Sequence, residues 1–469
     1  MAPFWFAQAL ERDREVSAAL VGPIDADVCI VGGGFTGLWT ALQLKAQQPA
    51  LDVVLIDAQR CGAGASGRNG GCVLTWATKF FTLARWYGEA EAVRLVRASE
   101  AAVLAIEAFV AEHAIDCQFR RDGTLYTATS TAQQGSLTAV IGALEERGVN
   151  SYQSWPLAQV CSRSGSIRHL EGVFSPMAAS VQPGLLVRGL RRVALEQGVR
   201  LFESTPLLRL DADAALPMVH TPAGSVQARK VVLATNAWMP RMFAEFARSV
   251  VLVSSDMAIT EPCPELLAAT GLADGLTVLD SRIFVHYYRS TPDGRLMLGK
   301  GGNTFAFANR MQHSFDAPSA YAAQLRYALD EFFPSLREVP IAATWNGASD
   351  RSATGLPFFG HWRNHRDIVY GFGYSGNGVG PSHMGGRILA SMVREAEDDW
   401  TRSPLTQGPL AAFPPEPVRW IGAMTVRDAV RRKERAEDLG RRPAWLDVQL
   451  ARLAAAAGKS DKSVTRVRH

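Results

Sequence analysis

Gly32, Gly34 and Gly37 stand at G-x-G-x-x-G spacing between a β-branched apolar run at 27–31 and a helical pattern carried by Leu38, Ala41, Leu42 and Leu44. A second apolar run at 53–56 ends in Asp57, 20 residues beyond the last glycine. This arrangement suits a dinucleotide joined through a pyrophosphate. The first glycine permits a tight turn, the second lets the backbone approach the anion, and the third lets helix and strand pack closely. Phe35 and Thr36 open the helix, whose N-terminus faces the anion, and Asp57, followed by Ala58, is placed for a ribose hydroxyl. By itself the motif fits NAD and FAD alike.

The residues after Asp57 separate the two. Arg60 leads into Gly64-Ala65-Ser66-Gly67-Arg68-Asn69-Gly70-Gly71, a long small-residue loop where a simple dehydrogenase would begin its next helix. Small residues let a flat ring pass close to the backbone, and Ser66, Arg68 and Asn69 offer hydrogen bonds. Later, Ala234, Asn236 and Trp238 follow a strand-like run, and Gly373, Gly376, Asn377, Gly378 and Val379 form a second glycine loop before a helix starting near Ser382. Exposed amides and a helix N-terminus favour negative charge there. His286, Tyr287 and Tyr288 lie on a predicted strand, where alternation places His286 and Tyr288 on one face and Tyr287 on the other. His361 and His365 have helical spacing but no third ligand, so no metal site is expected.

Together with Tyr287-Tyr-Arg-Ser-Thr-Pro-Asp-Gly294, Trp345-Asn-Gly347 and Gly355-Leu-Pro-Phe-Phe-Gly360, these motifs resemble the FAD-dependent amine and amino-acid oxidoreductase family over about residues 24–395. That family includes D-amino-acid oxidase, glycine oxidase and sarcosine oxidase, and the 64–71 motif is most like its gamma-glutamylputrescine oxidoreductase branch. The resemblance implies FAD bound non-covalently. Relatives with covalent flavin use a His in the first loop, where this chain has Arg68 and Asn69, or a late Cys, and no Cys follows Cys263. It also implies oxidation of an amine to an imine, hydrolysed to an aldehyde or keto product, with dioxygen or another acceptor taking the electrons. Relatives often carry His where Asn377 stands, and an amide cannot supply its positive charge.

Amino-acid oxidases of this family clamp the substrate carboxylate with an arginine two residues after the Trp-x-Gly glycine. Here that position is Ser349, and Arg351 is expected to substitute only with a changed strand register. The expected substrate is therefore an N-substituted or omega-amine, such as a gamma-glutamyl amine, an N-methyl amine or an aminophosphonate. His286, Tyr287, Tyr288 and Arg351 are the candidate catalytic residues. An FAD-dependent dehydrogenase of a hydroxy acid or glycerol phosphate stays open as an alternative, as does a non-catalytic flavoprotein assembly factor.

These residues need an α/β scaffold: a Rossmann-like FAD-binding domain built from 24–85, 160–244 and 341–398, and a substrate domain with an antiparallel sheet from 86–159 and 245–340. Residues 1–23 and 399–469 are expected to be terminal extensions, anchored by Trp5 and Trp420. The chain has 469 residues, 47% of them apolar, and no apolar run approaches the roughly 18 residues of a membrane span. Residues 1–10 lack the basic start of a signal peptide, and six cysteines without a Cys-x-x-Cys pair give no zinc or disulfide framework. A cytoplasmic enzyme without membrane or nucleic-acid partners is expected; nothing here sets its oligomeric state. The overall charge of +4 is uneven: from Arg419 onward 13 Lys/Arg face 6 Asp/Glu, a net of +7 that leaves −3 elsewhere. Because Glu434, Glu437 and Asp438 are interleaved, this end is expected to be a helix packed on the surface.

Overall fold

The computed structural model describes residues 3–311, 313–456 and 461. Strands made wholly of apolar residues must be covered on both faces, which places them in the middle of a parallel sheet. Val53–Ile56 is such a strand, buried throughout, and so are residues 28–31 of Gly22–Val31. The first sheet runs in the order Phe358–His361, Ile368–Phe372, Gly224–Leu233, Gly22–Val31, Val53–Ile56, Arg200–Phe202. Along this path all neighbours are parallel except the outer pair formed by Phe358–His361 and Ile368–Phe372; off it, Met218–His220 pairs antiparallel with both Gly224–Leu233 and Arg209–Asp211. The helices Phe35–Gln47 and Pro381–Val393 pack against each other beside this sheet.

The second sheet has eight strands, in the order Ile341–Ser352, Val250–Thr260, Leu296–Phe305, His286–Ser290, Thr277–Asp280, Thr124–Ala128, Glu171–Ser175, Gln153–Ser154. Its pairings are antiparallel except between Thr277–Asp280 and Thr124–Ala128. The mixed α/β fold with a Rossmann-like unit and a second, mostly antiparallel sheet is thus the one expected. Sheet membership moves two of the expected boundaries. Ile341–Ser352, assigned to the first unit, hydrogen-bonds along Val250–Thr260, and Glu171–Ser175 pairs with Thr124–Ala128. The helix Glu89–Glu112 packs against Pro381–Val393 of the first unit.

Both extensions are docked. The N-terminal helix Phe4–Arg12 buries Trp5, whose ring meets Trp345 edge-on at 5.6 Å. The C-terminal helices Val418–Asp438 and Trp445–Ala456 pack on each other. Trp420 Nε1 donates to the Phe305 carbonyl at 3.1 Å, and the Glu434 carboxylate accepts the N–H groups of Ile283 and Phe284 at 2.9 and 3.2 Å. The basic run is spent on ion pairs and anchors: Arg432 with Asp447 at 2.7 Å, Lys433 with Glu437 at 2.5 Å, and Arg431 on Asn303 Oδ1 at 3.0 Å. Among the described residues no helix is long and apolar enough to cross a membrane.

The tightest point of the first unit is Gly37, where a Cβ would stand 1.9 Å from the Gly32 carbonyl oxygen. Backbone cannot yield there as a flexible side chain would. Gly37→Ala is expected to cost about 3 kcal/mol, the upper range for overpacking a close-packed interior. Urea denaturation of the apoprotein checks this, and a loss below about 0.5 kcal/mol would contradict the packing argument.

Candidate cofactor and substrate site

A cavity of about 430 Å³ runs from Asp57, Ala58 and Leu207 at the first sheet to Ser255, Met257 and Tyr287 on the second. At its first end the chain leaves strand Gly22–Val31 through Gly32, at φ +113, where a Cβ would meet the Ala234 carbonyl at 2.6 Å. Only glycine takes this conformation at so close an approach. Gly33 N–H donates to Asp57 Oδ2 at 2.7 Å and Phe35 N–H to Ser66 Oγ at 2.9 Å, so the helix N-terminus opens onto the cavity through amides held by an acid and a hydroxyl. Gly32, Gly34, Phe35 and Thr36 line it, while Gly37 works one layer back, in the helix–strand contact. Burial, helped by the charge of Glu203, pushes the Asp57 carboxyl up to about 6, against the pull of the Gln59 and Gly33 N–H groups.

Gly64, Ala65, Ser66, Arg68, Asn69 and Gly70 line the same cavity. The polar side chains of this loop mostly organise the loop itself. Asn69 Nδ2 donates to the Ser66 carbonyl at 2.9 Å and its Oδ1 accepts Gly71 N–H at 2.8 Å. Arg68 donates to Ala63 O at 2.8 Å and Phe315 O at 2.6 Å, and pairs with Asp316 at 2.7 Å. Arg60, expected among the cofactor residues, does not line the cavity; it binds the carbonyls of Arg14 and Glu15 at 3.1 and 2.6 Å. A positive side chain just outside a glycine loop is drawn to whatever carbonyls the neighbouring segment offers, and here that segment is the N-terminal extension. Gly71, at φ +74, also lies behind the wall: a Cβ there would meet Val181 O at 2.0 Å.

The later segments close the far side. Ala234, Asn236 and Trp238 line the cavity, with Asn236 at φ +49 and its buried Oδ1 without a partner. Gly376, Gly378 and Val379 line it too. Gly373 lies outside the lining, at φ +92, and donates its N–H to Asp350. Asn377 also lies outside: its Nδ2 donates to Thr75 O at 3.2 Å, so it fastens the late loop to the early one. Asp350 lines the cavity, and burial raises its carboxyl to about 7 although the N–H groups of Gly373, Tyr374 and Ser375 favour its charge.

On the second sheet the alternation along His286–Ser290 is as expected, but the face bearing His286 and Tyr288 looks away from the cavity. Helix Ala322–Phe332 covers that face, with the Phe332 ring 5.7 Å from His286 and 5.6 Å from Tyr288. His286 Nδ1 lies 2.9 Å from Asp280, and burial followed by the charge of Lys300 brings the imidazole down to about 4. Tyr288 O–H donates to Ser164 O at 3.0 Å and sits 2.7 Å from His169 Nε2. Neither residue reaches the cavity, which corrects their assignment as candidates. Tyr287 does reach it, its hydroxyl 2.9 Å from Ser255 Oγ.

Arg351 was expected to take the place of Ser349 only with a changed strand register, and the register at these residues is unchanged. Val251 pairs with Arg351 and Val253 with Ser349, with no register shift between them, so Ser349 and Arg351 share a face. Both line a small neighbouring cavity with Ser255, Gly301 and Gly376; Ser349 also lines the large one, its buried Oγ unpartnered. Residues that the sequence reading did not single out as contacts include Ser255, Met257, Cys72 and Asp350.

Comparison with known proteins agrees with this geometry. The family described as DAO, FAD dependent oxidoreductase, matches residues 27–392. Probable oxidoreductase OrdL of Rhizobium meliloti (strain 1021) is 30% identical over 405 residues, covering 83% of this chain and 87% of that protein. Gamma-glutamylputrescine oxidoreductase of Escherichia coli (strain K12) is 29% identical over 373 residues, covering 79% and 84%. The crystal structure of glycine oxidase from Geobacillus kaustophilus superposes with a TM-score of 0.67 at 21% identity, over 81% of this chain and 98% of that one. This chain belongs to the FAD-dependent oxidoreductases of the DAO family, enzymes acting on the CH–NH groups of amines or amino acids, and FAD is its cofactor.

The raised Asp57 carboxyl yields a pH prediction. Above its pKa of about 6 the group is an anion able to accept ribose hydroxyls; below it the proton weakens that acceptance. FAD affinity is expected to be flat above pH 7 and to fall as pH drops through 6, by up to about tenfold per unit for one linked proton. Titrating apoprotein with FAD between pH 5 and 8 tests it. Asp57→Asn should abolish the step, and a flat wild-type profile would remove Asp57 from cofactor binding.

Proposed function

We propose that this member of the FAD-dependent oxidoreductases holds its flavin non-covalently and oxidises an amine whose anionic group lies several bonds from the reacting carbon. The observation that carries this reading is the unshifted register of residues 343–352 against Val250–Thr260. Ser349, a neutral hydroxyl, faces the main cavity. Arg351 follows on the same face, displaced by two residues, or about 6.6 Å at the rise of a β-strand. A substrate that reaches both must be extended. An α-amino acid, with its carboxylate one bond from the reacting carbon, is too short. A gamma-glutamyl amine, another N-substituted amine or an aminophosphonate has the required length, and the 29% identical gamma-glutamylputrescine oxidoreductase is consistent with the first of these.

The cavity fits FAD on its own chemistry. Gly32 and Gly34 leave the backbone bare for a pyrophosphate, Asp57 offers a ribose acceptor, and the unpartnered Asn236 Oδ1 and Ser349 Oγ await polar ligand atoms. When bound, FAD supplies the acceptor for the hydride leaving the amine carbon. The chain supplies orientation and a dry surround. Burial holds the Tyr287 phenol well above its ordinary pKa, so it stays protonated and orients the substrate through hydrogen bonds. Burial brings Arg351 down only to about 10, which keeps it charged at neutral pH for a carboxylate or phosphonate.

Arg351→Met tests the reading. For amines carrying a remote carboxylate, the concentration giving half-maximal flavin reduction under anaerobic conditions is expected to rise 10- to 100-fold, about what one charge-assisted contact contributes. Uncharged amines of similar size should change less than threefold, and an equal effect on both series would refute the assignment. Dioxygen is the proposed acceptor: reduced enzyme mixed with air should reoxidise within a turnover, whereas persistence of reduced flavin would point to another acceptor.

A further inference from the structure

The strand that turns Tyr287 toward the cavity turns Arg289 the same way. Arg289 is only 1% exposed, and among the described residues no carboxylate lies within ion-pair distance of it. Its guanidinium donates to three carbonyls instead: Nε to Gly70 at 2.8 Å, Nη2 to Val181 at 2.7 Å and Nη1 to Ser290 at 3.2 Å. The Trp5 ring covers it, with Cζ 5.0 Å from the ring centroid. Arg120, which donates to the same Ser290 carbonyl at 2.7 Å, adds repulsion, while Cys72 and Asp293 act in the opposite direction. Burial lowers the Arg289 pKa to about 10, which leaves the side chain a cation at neutral pH.

A buried cation hydrogen-bonded only to neutral carbonyls is costly, and the stapling of three carbonyls does not by itself require a charge. The position of the charge supplies the missing reason. A Cβ on Gly71 would stand 2.7 Å from Nη2, and Gly70 and Cys72, on either side, line the cavity. The cation therefore lies one layer behind the cavity wall, sealed from water on its other side by Trp5.

We infer that Arg289, clamped by Trp5, is a positioning residue for the flavin: it fixes the wall at residues 70–72 and lends the bound cofactor a fixed positive charge that favours its reduced, electron-rich form. This rests on the reading of the cavity as the FAD site. It also gives the N-terminal extension a task, since Trp5 lies outside the segment 27–392 that matches the family. Water admitted at Trp5 would screen the charge, and its influence falls as the local dielectric rises.

The test combines two measurements on FAD-loaded protein: the dissociation constant for FAD, and the midpoint potential by equilibration with a reference dye. Arg289→Met is expected to shift the flavin–dye equilibrium at least tenfold toward oxidised flavin, about 30 mV for a two-electron couple. Arg289→Lys keeps the charge but loses the three-carbonyl fork, so it should bind FAD more weakly with a potential equilibrium within threefold of wild type. Trp5→Leu should shift that equilibrium about threefold in the same direction as Arg289→Met. An Arg289→Met protein holding FAD at the wild-type potential would overturn the proposal and leave Arg289 a staple. If that variant does not fold, a Trp5→Leu protein at the wild-type potential overturns it equally. Failure of the FAD reading itself would be visible separately, as wild-type protein that retains no flavin.

Discussion

Gly62, Gly67, Gly70 and Gly71 have no room for a side chain, and the rest of the site depends on the close packing around them. A Cβ on Gly62 would meet Val187 at 2.3 Å, one on Gly67 the Gly62 carbonyl at 2.5 Å, and one on Gly70 the Tyr287 ring at 2.5 Å. The loop is met by itself and by three other parts of the molecule. The first sheet's helix reaches the loop through Phe35 N–H on Ser66, and the second sheet through Tyr287, Arg289 and Trp345, whose Nε1 donates to Arg68 O at 2.8 Å. The N-terminal helix reaches it through Phe6, 3.2 Å from the place of a Gly62 Cβ. Packing at interior density transmits any displacement, so this one loop sets the distance between the two sheets and hence the width of the cavity.

Apart from Arg68, which pairs with Asp316, the charges around the cavity are arranged differently from those elsewhere. Where the task is to hold segments together, opposite charges meet directly. Buried Glu203 sits between Arg188 at 2.8 Å and Arg191 at 3.2 Å and also takes the N–H groups of Ser17 and Cys61, which fastens the N-terminal extension to the first sheet. Around the cavity, Asp57 and Asp350 are raised by burial to about 6 and about 7, and Arg289 is held by carbonyls. Groups arranged in this way respond to a charged ligand, because their protonation and field are not already spent on each other.

The glycine turn, the acid at Asp57 and the flanking βαβ unit were legible because each is local: spacing, period and turn chemistry lie within about 30 residues. The fate of Ile341–Ser352 was not. Gly347 of its Trp-x-Gly motif lines the cofactor cavity, but its hydrogen bonds go to Val250–Thr260, nearly a hundred residues earlier, and pairing at that distance leaves no mark on local periodicity. Alternation correctly separated Tyr287 from His286 and Tyr288, yet a strand covered on both faces does not disclose which face meets a ligand. The helix Ala322–Phe332, with Phe332 against both rings, decides that. Trp5 was read as a packing anchor, which it is; its partner Arg289 was hidden because a lone arginine in a strand reads as an edge or a surface position until its neighbours are known.

The central claim is that the substrate spans from the Ser349 position to Arg351, and its most direct test is a length series. Anaerobic stopped-flow reduction of the bound flavin would be monitored for amines with the same reacting nitrogen and a carboxylate set off by one to six further methylenes. The account predicts that the apparent second-order rate constant rises with length and peaks where the carboxylate lies about 6.6 Å beyond the α-amino-acid position, two strand residues on. A maximum at the α-amino acid itself, declining steadily with length, would contradict it.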